Sequence, residues 1–246
     1  MSSEIRGHIA QSRPDCWSDN FDWLPDSGWL LSTFAGRMKE YYGAYKAFHG
    51  CRPIRVRSYY EKGFLGQDNS YILERFREIY ADQEKEDIEL AIAQLHERGI
   101  AESGKTWFLA NDKTLINECG HYIIQGSEYL MSLAVILGSS RTGEHLWMRL
   151  RDIGVPTVFE VNIPAAMVPP EQLLHTAKLV LSEWGQLVAK RPLGGGDEPC
   201  YVIRGNIPSE YIYGHSHPSR LRDPHKGHSI YVNKFSTDDD CACGRG

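Results

Sequence analysis

The stretch Pro156-Thr-Val-Phe-Glu-Val-Asn-Ile163 is the clearest β-strand in the sequence. Pro170 stands at a first helical position, where proline is tolerated, so a helix is predicted from Pro170 to Lys190. Further strands are expected near residues 54–58, 106–110 and 200–204. This mixture of strands and helices predicts an α+β fold, with a split, mostly antiparallel sheet and helices packed around it.

The other helices are predicted from apolar residues that recur every three or four positions. One covers residues 29–48 and ends at His49-Gly50, because glycine stops helices and Pro53 cannot continue one. The charged residues 70–99 predict two helices. A helix kinked at its glycines and a shorter helix are expected over residues 115–137 and 143–152.

The bulk properties are those of one globular domain. The chain has 246 residues, of which 41% are hydrophobic and 24% are charged, and a chain of this size buries a core without disulfides. We expect one domain over residues 1–234, with an irregular lead-in at 1–28 and a helical insertion at 70–100. Residues 235–246 are expected to form a flexible tail.

The charge of the chain argues against a broadly basic surface that coats nucleic acid. The net charge is −5 at pH 7, and the isoelectric point is near 6.1. Positive charge is nevertheless dense in two short segments, residues 52–57 and 220–226. A nucleic-acid target would therefore be bound by a local patch.

The cysteines and the apolar segments predict a cytoplasmic protein with reduced thiols. The six cysteines form no Cys-x-x-Cys pair, and the first residues lack the apolar region of a secretory signal. The longest apolar stretch, residues 130–137, is too short to cross a bilayer. No membrane partner is expected.

The segment Phe48-His49-Gly50-Cys51-Arg52-Pro53, followed by Tyr60-Glu-Lys-Gly63-Phe64, carries the sharpest functional signal. A glycine lets the backbone approach a ligand closely. A neighbouring imidazole can donate to a ribose hydroxyl, and a guanidinium can hold a pair of phosphate oxygens. These are the groups that hold NAD in a bent conformation. The alternative is a helix end with a surface histidine and arginine.

This segment resembles the His-Gly-Ser/Thr turn of the diphtheria-toxin-like and poly(ADP-ribose)-polymerase-like ADP-ribosyltransferases. In that superfamily the turn lies on a strand, and a short helix ending in Glu/Gln-Gly-Leu/Phe follows it. The resemblance implies that His49 binds the adenosine-side ribose of NAD and that Gly50 meets the nicotinamide amide. It also places Cys51, where the family usually has a hydroxyl, together with Arg52 and Tyr60, in the NAD site.

Residues 105–112, Lys-Thr-Trp-Phe-Leu-Ala-Asn-Asp, are similar to the Gly-x-Tyr-Phe-Ala strand of the same superfamily. The resemblance implies that Trp107 stacks on the nicotinamide, and an indole face suits a pyridinium ring. The charged helical stretch before it is then an insertion. A plain core strand is the alternative interpretation of these residues.

The segment Gly120-His-Tyr122-Ile-Ile-Gln-Gly-Ser-Glu128-Tyr combines polar groups with an apolar helix. Glu128 and Tyr122 are the catalytic candidates, because a half-buried carboxylate stabilises an oxocarbenium-like ribose or deprotonates an acceptor. In the superfamily the catalytic glutamate usually lies on a late strand, near which this chain has Glu198 and Glu210. We therefore favour Glu128 first and either of those two second.

The final third of the chain contains two weaker signals. Residues 201–212, a strand followed by Pro-Ser-Glu-Tyr-Ile, resemble the tail of nucleic-acid-modifying ADP-ribosyltransferase toxins. Four histidines follow, and imidazoles are zinc-type ligands, but their spacings fit no standard finger. We predict a solvated loop without metal there; the candidate ligands would be His215, His217, His225 and His228.

Together these motifs imply a glycosyltransferase-class enzyme that transfers ADP-ribose from NAD to a nucleic acid or a protein. The resemblance further implies a toxin or defence effector, with an antitoxin or inhibitor as partner. One alternative is an NAD-dependent RNA 2′-phosphotransferase, which would rely on Arg52, Arg57 and Arg204. Another is a non-catalytic module that binds RNA or metal through its tail.

Overall fold

The main sheet has five strands in the order β4-β2-β1-β3-β5. The computed structural model describes residues 27–141, 145–188 and 198–234. β1 is antiparallel to β2, with Phe48 opposite Leu109, and β3 is antiparallel to β5. The strands are β1 (Ala44–Cys51), β2 (Lys105–Leu109), β3 (Thr157–Pro164), β4 (Cys200–Arg204) and β5 (Ile212–Ser216). A separate antiparallel hairpin pairs β6 (Arg220–Asp223) with β7 (Ser229–Val232).

Helices precede, interrupt and follow the strands, so the predicted α+β class is confirmed. They are α1 (Ser27–Tyr41), α2 (Arg57–Lys62), α3 (Asn69–Ile79), α4 (Lys85–Gln94), α5 (His96–Glu102), α6 (Asp112–Asn117), α7 (His121–Ile124), α8 (Glu128–Arg141) and α9 (Pro170–Val188). Short 3-10 helices cover Leu146–Asp152, Ser209–Tyr211 and Pro224–Lys226. The expected lead-in at 1–28, apart from its last two residues, and the expected tail at 235–246 lie outside the described residues.

The chain divides into two compact units. The first contains α1 and α9, which pack on each other. Leu173, Ala177 and Leu181 are buried at four-residue steps along α9, as an amphipathic helix requires. This helix begins at Pro170, as predicted from the sequence.

The second unit comprises residues 46–163 and 202–246 and contains α2 to α8, β2 and β5 to β7. A helical core forms where α3, α4 and α8 meet; it includes Phe76, Tyr80, Ile88, Ile92, Leu133 and Leu137. A second apolar cluster covers one face of the sheet and includes Leu115, Ile123, Ile124, Val158 and Leu221. The charged segment 70–99 is therefore anchored by the apolar faces of its helices.

The predicted helix over residues 29–48 is wrong in its second half. Helix α1 ends at Tyr41, and residues 44–51 form β1, in which Tyr45 and Ala47 are buried and Lys46 between them is exposed. The apolar spacing in this stretch fits both a helical and a strand period, and pairing with β2 decides for the strand. His49 and Gly50 thus lie on a strand rather than at a helix end.

Three other sequence-based elements also differ from the structure. Residues 54–56 form a turn and residues 57–62 form α2, so no strand lies at 54–58. The kinked helix over 115–137 is three separate helices, and Gly126, whose φ angle is 85°, interrupts the chain between α7 and α8. The expected loop at 215–228 contains the end of β5, all of β6 and a 3-10 helix. The helices predicted within 70–99 are confirmed as α3 and α4, and α5 extends them to Glu102.

Gly63 is expected to be one of the most sensitive positions of the fold. Its φ angle is 76°, and a Cβ atom there would overlap the carbonyl oxygen of Ile207. We expect Gly63→Ala to lower the free energy of unfolding by about 3 kcal/mol or more, measured by urea denaturation. Gly205→Ala is the matched control, because Gly205 has a φ angle of 92° but no atom near its Cβ position. Equal losses in the two variants would contradict this steric explanation.

Candidate functional site

The site residues predicted from the sequence are divided between the two faces of the sheet. Successive side chains of a strand point to opposite faces. On one face, called the histidine face, the His49 ring packs against Phe64 and Phe108, with centroids 5.1 and 5.5 Å apart. On the other, called the glycine face, the Cβ position of Gly50 lies 2.8 Å from Cγ1 of Ile123. Gly50 therefore admits Ile123 and brings α7 against the sheet.

Trp107 lies on the glycine face. It alternates with Phe108, which contacts His49 on the opposite face. The antiparallel register, with Phe48 opposite Leu109, places Trp107 opposite Gly50. The Trp107 side chain is 50% exposed. The exposed half of the indole therefore lies on the same side of the sheet as α7.

His49 supports β2 through its side chain. Its Nδ1 lies 2.8 Å from the carbonyl oxygen of Trp107, and since a carbonyl only accepts, Nδ1 carries the proton and donates it. Burial lowers the pKa of His49 and outweighs the opposing effect of this hydrogen bond. His49 is therefore a neutral imidazole with a fixed tautomer, whose Nε2 is an acceptor.

The pKa of His49 predicts a pH dependence of stability. A histidine whose pKa is lower in the folded than in the unfolded chain leaves the unfolded chain with more bound protons below about pH 6.5. Stability should then fall as the pH decreases from about 6.5 towards the lower, folded pKa. We expect His49→Gln to lose less of its free energy of unfolding between pH 7.5 and 5.5 than the wild type does, measured by urea titrations at each pH. Parallel pH profiles for the two proteins would refute this expectation.

Cys51 and Tyr60 complete the predicted residues on the histidine face. Burial raises the pKa of Cys51 to about 12, against the opposing effect of a hydrogen bond with Tyr59. Cys51 is therefore a protonated thiol and not a nucleophile. The Tyr60 hydroxyl lies 2.7 Å from Nδ1 of His215 on β5. This contact joins α2 to the edge strand of the sheet.

Arg52 is held by the backbone rather than presented to solvent. Its Nε donates to the carbonyl of Ile153 at 2.8 Å, and Nη1 donates to that of Ile124 at 3.1 Å. Nη2 donates to the carbonyl of Arg151. The residue is only 9% exposed. The guanidinium thus joins the end of α7 to the end of the 3-10 helix Leu146–Asp152, so the geometry gives the predicted phosphate clamp no support.

Glu128 and Tyr122, the catalytic candidates, are in direct contact. The Tyr122 hydroxyl donates to Oε2 of Glu128 at 2.7 Å, and Nη2 of Arg98 donates to Oε1 at 2.6 Å. Partial burial raises the pKa of Glu128, but these two hydrogen bonds and the charge of Arg98 outweigh it, so the net shift is downward. Glu128 is consequently a fixed, ionised carboxylate at neutral pH.

One short helix holds both Glu128 and Trp107. Arg98 of α5 binds Glu128, and Glu102 of the same helix accepts from Nε1 of Trp107 at 3.1 Å. Residues four apart lie on one helix face, about 6 Å apart along the axis. The indole and the carboxylate are therefore held on one side of α5. Sequence reasoning missed Arg98 and Glu102; the only signal was their opposite charges at a four-residue spacing.

The second-choice carboxylates lie elsewhere. Glu210 is exposed in the turn Ser209–Tyr211, which abuts the end of α2 at Gly63. Glu198 precedes β4 in the first unit. Of the arginines required by a 2′-phosphotransferase, Arg57 pairs with Glu61 on the surface, and Arg52 is buried as described above.

The four histidines proposed as metal ligands are distributed over β5, the residue that follows it and the β6–β7 hairpin. Within the described ranges, no group of three or more His, Cys, Asp or Glu side chains is arranged to hold a metal ion. Among the same residues, no helix has the length and apolarity needed to cross a membrane.

Comparisons of the chain with protein-family models, with curated proteins and with solved structures found no match.

Proposed function

We propose that this protein cleaves the bond between nicotinamide and ribose in NAD and transfers ADP-ribose to a macromolecule. The observation that carries the proposal is the placement of an exposed indole and an ionised carboxylate, Trp107 and Glu128, on one face of α5. The indole is suited to binding a cationic aromatic ring, and the carboxylate is suited to stabilising a developing positive charge.

The reaction is proposed to take place on the glycine face. The positively charged nicotinamide ring stacks on the Trp107 indole. As the glycosidic C–N bond breaks, its electron pair leaves with neutral nicotinamide, and positive charge develops on the ribose. Glu128 stabilises this charge, since its lowered pKa keeps it ionised. The acceptor then bonds to the anomeric carbon and loses its proton to solvent.

Tyr122, Arg98 and His49 act as positioning residues in this proposal. Tyr122 and Arg98 fix one carboxylate oxygen of Glu128 each. His49 lies on the other face of the sheet and acts through the carbonyl of Trp107. It holds β2 in place instead of binding the adenosine-side ribose, which is the role that the family resemblance implies.

The direct test is incubation of the purified protein with NAD, with released nicotinamide measured by chromatography. Adenylate-labelled NAD, added with cell extract, then reports the acceptor through separate protease and nuclease digestion. We expect Trp107→Ala to raise KM for NAD about five-fold or more, while Trp29→Ala, which removes an indole that is 66% exposed on α1, leaves it unchanged. Absence of both nicotinamide release and NAD binding by calorimetry would refute the proposal.

A further inference from the structure

Five aromatic rings form a continuous row that ends beside Glu128. In spatial order they belong to His145, Trp147, His225, His121 and Tyr122. The distances between successive ring centroids are 6.1, 6.1, 5.0 and 4.0 Å. The last ring carries the hydroxyl that donates to Glu128. This aromatic row therefore leads from the surface to the proposed reaction centre.

The row lies at the border between the surface and the helical core, against which Trp147 packs. His145 and His225 are exposed, and the other three rings are half-buried. Burial and the nearby His225 lower the pKa of His121, against the opposing charges of Glu128 and Asp223. His121 therefore presents a neutral ring at pH 7. Flat, partly exposed rings at these spacings are suited to stacking with planar groups of a ligand.

Positive charge borders the row, although the chain as a whole is negative. Arg220, Arg222 and Lys226 are exposed on β6 and the adjoining turn, next to His225. Asp223 is the one acidic residue in the segment 212–234, and it is buried in a salt bridge with Arg151. The Arg151 guanidinium also lies 5.1 Å from the ring centroid of Trp147. Aromatic rings flanked by cations are complementary to bases flanked by phosphates.

We infer that the acceptor is a single-stranded nucleic acid that stacks its bases along the aromatic row and places its phosphates against β6. The inference rests on the proposed function, since it makes this strand the acceptor of ADP-ribose. A nucleotide at the inner end of the row would lie next to Tyr122, with its base or ribose towards Glu128. Successive rings are tilted by 38° to 75°, so they suit bases that are unpaired and turn independently of one another, with the exposed cations beside them.

The test is fluorescence anisotropy of labelled 20-nucleotide single strands of mixed sequence, as DNA and as RNA, without NAD. We expect binding that weakens as salt is raised from 50 to 200 mM. The strand that binds more tightly, DNA or RNA, shows which sugar is preferred.

The double variant His145→Ala/His225→Ala removes two exposed rings and should weaken binding about ten-fold or more. Arg220→Ala/Arg222→Ala should lower the slope of log affinity against log salt by about 1 to 2.

Two matched variants change exposed groups that are not part of the row. Trp29→Ala removes an exposed indole, and Lys39→Ala/Lys85→Ala removes two exposed cations. Both should bind like the wild type. No binding at 50 mM salt, equal losses in these controls, or displacement of the strand by poly-glutamate at equal charge would overturn the inference.

The binding assay also separates this inference from the proposed function, because it contains no NAD. Nicotinamide release without strand binding overturns the inference alone. Strand binding that requires the row, without any nicotinamide release, overturns the proposed function alone. Labelled ADP-ribose that appears on the bound strand supports both.

Discussion

Glu128→Gln is expected to lower the rate of nicotinamide release from NAD about a hundred-fold or more, at unchanged affinity for NAD. The substitution keeps the shape of the side chain and removes the negative charge that is proposed to stabilise the developing cation. Loss of one preorganised electrostatic contact in an active site typically costs two to three orders of magnitude in kcat. The variant should fold, because Gln retains an acceptor for the Tyr122 hydroxyl.

Glu97→Gln is the matched control for this experiment. Glu97 is exposed and lies next to Arg98 on α5, so the control removes the same charge from the same helix. Its rate should remain within about two-fold of the wild-type rate. If Glu210→Gln abolished the reaction while Glu128→Gln preserved it, the catalytic role would pass to Glu210.

Tyr122→Phe extends this prediction to the pH profile. The hydrogen bond from Tyr122 lowers the pKa of Glu128, so its removal should raise that pKa. Because the ionised carboxylate is the active form, the acid limb of the kcat profile should move to higher pH. A merely structural role for Tyr122 would lower the rate without moving this limb.

Arg52→Ala is expected to lower the free energy of unfolding by about 3 to 5 kcal/mol, because one buried and two partly buried carbonyls lose their donor. A buried carbonyl costs roughly 1–3 kcal/mol when unsatisfied. These carbonyls belong to Ile124, Arg151 and Ile153. Ile124 ends α7, whereas Arg151 and Ile153 lie at the end of the 3-10 helix Leu146–Asp152, so Arg52 links two segments that are distant in sequence. Urea denaturation followed by circular dichroism measures the loss.

Arg55→Ala provides the comparison for Arg52. Arg55 is exposed, three residues along the same segment, and its loss should change stability by no more than about 0.5 kcal/mol. Arg52→Lys should fall between the two, because an ammonium group cannot match the fork of donors that reaches all three carbonyls. Stability losses of similar size in Arg52→Ala and Arg55→Ala would show that the buried hydrogen bonds contribute little.

The sequence predicts individual helices and strands more reliably than it predicts which strands pair with one another. The strand at 157–164 and helix α9 follow from residue types alone, and both are confirmed. The stretch 44–51 satisfies two periods at once, so only its partner β2 shows that it is a strand. The hairpin of β6 and β7 was missed because each strand has only four residues, too few to show a period. It also depends on contacts distant in sequence, such as Leu221 with the sheet cluster.

The candidate site was predictable where its residues are close in sequence. Tyr122 and Glu128 are six residues apart, and their hydrogen bond joins two consecutive helices. Trp107 could be identified as an aromatic strand residue, but not the face on which it lies. Arg98 and Glu102 were hidden, because their partners come from other elements and a charged helix is usually only solvated. The burial of Arg52 depends on the end of α7 and the end of the 3-10 helix Leu146–Asp152, whose positions no local pattern specifies.

Because α5 contacts Trp107 and Glu128 through residues one turn apart, the positions of the indole and the carboxylate are coupled to each other. Deletion of one residue between Arg98 and Glu102 would rotate one of these side chains by about 100° around the helix axis, away from its partner. The number of residues between Arg98 and Glu102 is thus constrained, even though the exposed residues of the segment 70–99 are free to vary. Relatives of this chain that keep the chemistry should preserve the four-residue interval between these two charges while the rest of the insertion diverges.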